Sequence, residues 1–165
     1  MEVKQATKLL GWNTHYISSS SGVLNICEIV ICYASFELLK DTCRPAYSSS
    51  TGGFVGSAYE TYFYLCMFAC MIITCVWLFS FVISHVSCML VERTVLGVTF
   101  WSIACLFSFL TSIILFIFVN EPRSVIIYGY SHKVAASVLG LVNSGLYAIS
   151  AVKSYKLCKS SWSFQ

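Results

Sequence analysis

The sequence predicts an all-α polytopic membrane protein: a single bundle of four transmembrane helices joined by short loops. Three observations carry this. The 165 residues are 58% hydrophobic and 10% charged, with a mean hydropathy of +0.78, whereas a soluble domain has about 25% charged residues. Four apolar runs, Val23 to Leu39, Tyr62 to Val86, Val95 to Val119 and Val134 to Val152, are each long enough as a helix to cross about 30 Å of hydrocarbon. The connections between them are too short to hold a second domain.

In chain order, residues 1–22 have no apolar core of the kind a signal peptide needs and are read as a cytosolic N-terminal segment. The first run, 23–39, is then a retained anchor although it contains Asn25 and Glu28. The loop after it includes YSSSTGG, a flexible solvated stretch. Residues 87–94 join the second and third spans, 62–86 and 95–119, as a tight antiparallel hairpin. Glu121-Pro122 marks the end of the third span, because the residue before proline is pushed away from helix. The fourth span, 134–152, completes a domain over 23–152 and leads into a basic tail, 153–165.

Four spans put both termini on one side. Lys4, Lys8, Arg93, Lys153, Lys156 and Lys159 share that side, against Lys40, Arg44, Arg123 and Lys133 on the other, so the positive-inside rule predicts cytosolic termini. Of the nine cysteines, Cys43 alone falls in an outside loop, which leaves no partner for an internal disulfide. No N-x-S/T acceptor occurs, so N-glycosylation is not expected.

Loop size and motif content weigh against several four-span classes. A tetraspanin-like chain needs a large Cys-rich second outside domain, and a claudin-like chain a longer first loop with paired cysteines. A quinone-linked disulfide enzyme needs bridging thiols, usually C-x-x-C, whereas Cys66 and Cys70 are spaced C-x-x-x-C. The segment ERTVLG at Glu92 to Gly97 faintly resembles that of the eicosanoid and glutathione membrane transferases, but Gly97 stands where a polar partner belongs. His85 and Cys88 give at most two ligands, with Glu92 one turn further, short of a zinc site, which takes four ligands or three plus an open position. The expectation is a non-enzyme with no cofactor and no bound metal. Its net charge of +3 is scattered over loops and tail, which gives no sign of nucleic-acid binding.

Within the fourth span, Ala136, Gly140, Ser144 and Ala148 recur every four residues. In lipid, where hydrophobic drive between helices is weak, small residues at this spacing permit close helix approach. The stripe predicts packing within the chain's own bundle, with a homo-oligomer or another membrane protein as the other destination. Asn143 beside it is expected to make an interhelical hydrogen bond. Glu28 is the acid clearly inside a span, about 8 Å from the predicted span end. Tyr147 and Ser150 reach a similar depth and are the expected hydroxyl partners of that carboxyl.

A first span with an acid in its early half (ICEIV), short connections, and a last span reading HKVAASVLGLVNSGLYAISAVKSYK resemble the MARVEL group of four-span proteins, in particular its MAL-like and chemokine-like-factor branches. Members often carry a comparable Glu in the first span and a fourth span that opens on paired alanines and ends in a basic tail. Asn25 stands where part of the group has a basic residue. The resemblance implies a non-enzymatic membrane organiser, working through helix and lipid contacts in vesicle trafficking, membrane apposition, cell contact or cell-cell fusion such as myoblast fusion. It implies residence in the plasma membrane or in trafficking vesicles.

Two features of the tail extend this reading. Cys158 lies among Lys153, Lys156 and Lys159, a setting suited to palmitoylation and to contact with anionic lipid; Cys88 is a second acylation candidate. Membrane lipids are thus the expected partners. The competing class is a subunit of a channel or transporter, for which Glu28 is the one acid clearly within a span.

Overall fold

A computed structural model describes residues 14–42, 57–84, 91, 94–120 and 129–162. These residues contain helices and no strand. A short helix α1 (Thr14–Ile17) precedes four long ones: α2 (Ser20–Thr42), α3 (Ala58–Ile83), α4 (Val95–Val119) and α5 (Tyr130–Trp162). Each of the four is long and apolar enough to cross a membrane. The chain is an all-α, four-helix membrane bundle.

The four helices pack in a ring in chain order, α2 against α3, α3 against α4, α4 against α5, and α5 back against α2. Consecutive helices are antiparallel, so α1, the start of α2 and the end of α5 share one end of the bundle, called here the termini end; the other is the loop end. The outward faces carry large apolar side chains such as Phe79, Leu106, Phe107 and Ile117, as lipid contact demands. Inside, Phe63, Met67, Leu115 and Tyr147 fill the middle.

Local sequence explains where the helices begin. Ser57 caps α3: its hydroxyl accepts from Glu60 N, and the Glu60 carboxylate accepts from Ser57 N at 2.9 Å. This reciprocal pair satisfies two backbone donors that a helix start leaves open. Ser19 holds the start of α2, its hydroxyl accepting from Gly22 N at 3.1 Å. The backbone between α1 and α2 turns so closely that a Cβ on Gly22 would sit 2.1 Å from Tyr16 O.

The helices extend beyond the spans read from hydropathy. α2 starts at Ser20 and α5 runs on to Trp162, so residues 153–162 are a helical continuation of the fourth span rather than a separate tail. Lys133, assigned above to a loop, lies inside α5 and is buried. Residues 14–22 pack on the bundle. Tyr16 is 5% exposed, packs edge-on against Phe81 of α3 at 5.2 Å, and accepts a hydrogen bond from Asn25 at 3.1 Å.

Candidate intramembrane polar site

The buried face of α5 passes through Ala136, Gly140, Asn143, Tyr147, Ser150, Ser154 and Cys158. These steps of three and four residues keep one side of a 3.6-residue helix pointed inward. An unbroken step of four cannot do so, since each advances the direction by about 40°. Ala136, Gly140 and Ser144 are accordingly buried, whereas Ala148 is half-exposed and Gly145 is exposed. The small-residue stripe therefore leaves the interior before Ala148, and polar residues continue the inner face.

Where the stripe does face inward, it lets α4 come close. Ser108 of α4 donates to Gly140 O at 3.1 Å, and Ser112 lies beside it, bonded to Ser108 O at 2.6 Å. A Cβ on Gly140 would fall 2.2 Å from Ser112 Oγ and 2.9 Å from Phe63 Cε2. Gly140 is thus the point where α4, α5 and a side chain of α3 converge.

One helical turn nearer the termini end, a cluster of polar side chains joins α2, α3 and α5. Asn143 donates to Cys32 Sγ at 3.1 Å. Tyr147, fully buried, has its hydroxyl 3.3 Å from Thr74 Oγ1 and 3.5 Å from Cys32 Sγ. Thr74 also donates to Cys70 O at 2.8 Å, and the ring of Trp101 from α4 stacks on Tyr147 at 5.9 Å.

Next to this cluster, Ser150 donates to Glu28 Oε1 at 2.6 Å. Ser150 is one of the two expected partners of Glu28; the other, Tyr147, turns to Thr74 and Cys32 instead. Glu28 is 0% exposed, so its carboxyl does not snorkel to the headgroups. Its distance from the start of the first span also changes: with α2 beginning at Ser20, Glu28 sits about 12 Å along the helix axis. Among the described residues, Glu28 Oε2 and Asn143 Oδ1 have no hydrogen-bond partner. A small cavity of about 10 Å³, room for about one water, lies beside Ser150 and is lined also by Asn25, Lys153 and Ser154.

The basic residues fall into two groups. Lys156 and Lys159 are exposed. Lys153 donates to Ser20 Oγ, which ties the end of α5 to the start of α2. Cys158 is 8% exposed and faces the bundle, so acylation at that position would require the end of α5 to open. Cys88, the second candidate, and His85 and Glu92 lie outside the described residues. No group of three or more metal-ligating side chains occurs among the described residues.

Two contacts were not found from sequence. Tyr16 and Asn25 are separated by a break between helices, so no helical period links them. The pair Lys133–Glu60, 2.6 Å apart with side chains 9% and 6% exposed, joins residues far apart in the chain; its local half, the capping signal Ser57-Ala58-Tyr59-Glu60, was present in the sequence. No protein-family model, curated protein or solved structure matches this chain.

Proposed function

We propose that this protein is a non-enzymatic organiser of membranes of the MARVEL type, with both termini in the cytosol, acting in vesicle trafficking, membrane apposition, cell contact or cell fusion. The observation that carries the reading is the use of the intramembrane polar groups. Glu28, Cys32, Thr74, Asn143, Tyr147 and Ser150 are turned toward one another and hold α2, α3 and α5 together. Polar groups arranged this way build a rigid bundle, and what such a bundle offers to its surroundings is its apolar outer surface and its exposed basic end. Lys156 and Lys159 then meet anionic lipid at about 1 kcal/mol each, and further copies or other membrane proteins are reached through the outer faces.

The test is the location of the protein in living cells, tagged at its C-terminus and expressed from its own locus beside vesicle and cell-contact markers. Concentration on moving vesicles, junctions or fusion sites is the expected result. Uniform retention in the endoplasmic reticulum would overturn it. The unpartnered oxygens of Glu28 and Asn143 favour, as a second reading, a subunit that conducts an ion; flux into liposomes holding the purified protein, abolished by Glu28→Gln, would establish that reading in place of the first.

A further inference from the structure

At the termini end of the bundle, hydrogen-bond donors gather without an acid to receive them. α2 opens on Ser20, Ser21 and Gly22, and the N–H groups of a first turn point out of the helix end; Ser19 takes that of Gly22. Lys153 of α5, half-buried, reaches across this helix start and donates to Ser20 Oγ. Among the described residues no carboxylate pairs with its ammonium.

Lys153 also lines the water-sized cavity beside Ser150, together with Ser21, Asn25 and Ser154. Two of these walls are spent, because Asn25 donates to Tyr16 and Ser150 to Glu28. Ser21 and Ser154 are not. Neither hydroxyl makes a hydrogen bond among the described residues, although Ser154 is 4% exposed, and a buried hydroxyl in that state is rare. No carboxylate lines the cavity; that of Glu28 touches Ser150 instead.

We infer that this corner binds the phosphate monoester of a membrane lipid, with Lys153 and the Ser20–Ser21 helix start holding the phosphate and Ser154 donating to one of its oxygens. Charge is the first reason. An ammonium without a counter-ion and the start of a long helix both favour an anion. The second is the number of donors. A monoester carries close to two charges and three terminal oxygens, and the ammonium, the hydroxyls of Ser20, Ser21 and Ser154, and the first turn of α2 supply donors for all three. A diester has only two such oxygens. The third is position. The span begins at Ser20, where headgroups lie. The cavity of about 10 Å³ admits one oxygen and leaves the phosphorus at the mouth, beside the half-buried Leu24 and Leu157.

This deepens the reading of exposed lysines that meet anionic lipid, and rests on it only in placing this end of the bundle at the membrane surface. Mislocalisation in cells would sink the trafficking reading and leave the lipid preference standing; loss of the preference would do the reverse.

The test is native mass spectrometry of the full chain in detergent micelles that carry equal traces of dioleoyl phosphatidic acid, phosphatidylserine and phosphatidylcholine. The expected result is one retained phosphatidic acid, in preference to the other two. Ser154→Ala removes no charge, yet should lower that retention about tenfold, the worth of one hydrogen bond to a charged group, and leave phosphatidylserine unchanged. Lys153→Gln should do at least as much. Lys159→Gln, outside the corner, should weaken both anionic lipids alike and keep their ratio. Unfolding temperatures in phosphatidylcholine equal to that of the wild type confirm that the variants are folded.

A ratio of phosphatidic acid to phosphatidylserine that is the same in wild type and Ser154→Ala would overturn the proposal, because diffuse attraction to the lysines would then account for all binding. Displacement of the bound phosphatidic acid by glycerol 3-phosphate, the same phosphate without acyl chains, would overturn the lipid as its source in favour of a soluble phosphate ester.

Discussion

Glu28 shows how one atom contact sets the cost of a change. Its Oε1 accepts from Ser150 at 2.6 Å in a site with 0% exposure. Glu28→Gln keeps an acceptor oxygen of the same shape and is expected to cost less than about 1 kcal/mol. Glu28→Ala leaves a cavity and a buried hydroxyl without its acceptor, and is expected to cost about 2–4 kcal/mol. Thermal unfolding in nanodiscs, followed by intrinsic tryptophan fluorescence, separates the two; equal shifts for both variants would show that the carboxyl does not take this bond.

The two glycines of α5 make a sharper pair. A Cβ at Gly140 would overlap Ser112 Oγ at 2.2 Å, while at Gly145 it would meet nothing within 4 Å. Gly140→Ala should therefore destabilise by about 1–3 kcal/mol through overpacking, and Gly140→Leu with Ser144→Leu should disrupt the bundle, seen as loss of the monodisperse peak in detergent. Gly145→Ala should leave unfolding temperature and oligomer size as in the wild type.

At the scale of elements, α3 and α5 differ in how much of each could be read in advance. The start of α3 is written locally in Ser57 and Glu60, whose reciprocal bonds lie within one turn. Ser57→Ala is expected to lower stability by about 1 kcal/mol, measured as a shift of the same unfolding transition. The inner face of α5 was harder. Four small residues at equal steps suggest one stripe, but a 3.6-residue repeat carries Ala148 away from the side of Ala136. The face that packs instead takes in Tyr147, Ser150 and Ser154, residues whose polarity argues against burial until their partners are known. Cys158 follows from the same rotation. Because α5 continues as helix to Trp162, this thiol is carried onto the inner side, and hydroxylamine-sensitive acyl exchange is expected to leave it unlabelled; labelling lost in Cys158→Ser would show that the end of α5 opens in cells.

For the whole molecule, the decisive contacts run across the ring. α3 and α5 stand on opposite sides of it, yet Phe63 reaches Gly140, Thr74 reaches Tyr147, and Glu60 pairs with Lys133. These side chains fill the centre and fix the register of the diagonal pair. The Glu60–Lys133 pair is desolvated at the loop end, so breaking it from one side leaves a buried charge without its counter-ion. Lys133→Met alone is expected to cost about 3–5 kcal/mol. Glu60→Gln retains the capping role at the start of α3, since glutamine serves there equally, and the double variant should recover much of the loss. A double variant no more stable than Lys133→Met would show that the two residues act independently.

The sequence by itself determined the membrane class, the number of helices and their antiparallel order, because these follow from the length of apolar runs and from short connections, both of which are local. It also placed an acid, an amide and a set of small residues in the spans and pointed to Ser150 for Glu28. The tertiary structure alone decided that Tyr147 turns to Cys32 and Thr74, that Tyr16 covers the termini end, and that Lys133 is buried against Glu60. Those outcomes depend on the rotation of each helix about its axis and on residues tens of positions apart. When nearly every position of a span is apolar, hydropathy distinguishes membrane from water but not the lipid side of a helix from its inner side. Only packing against the neighbouring helices makes that choice.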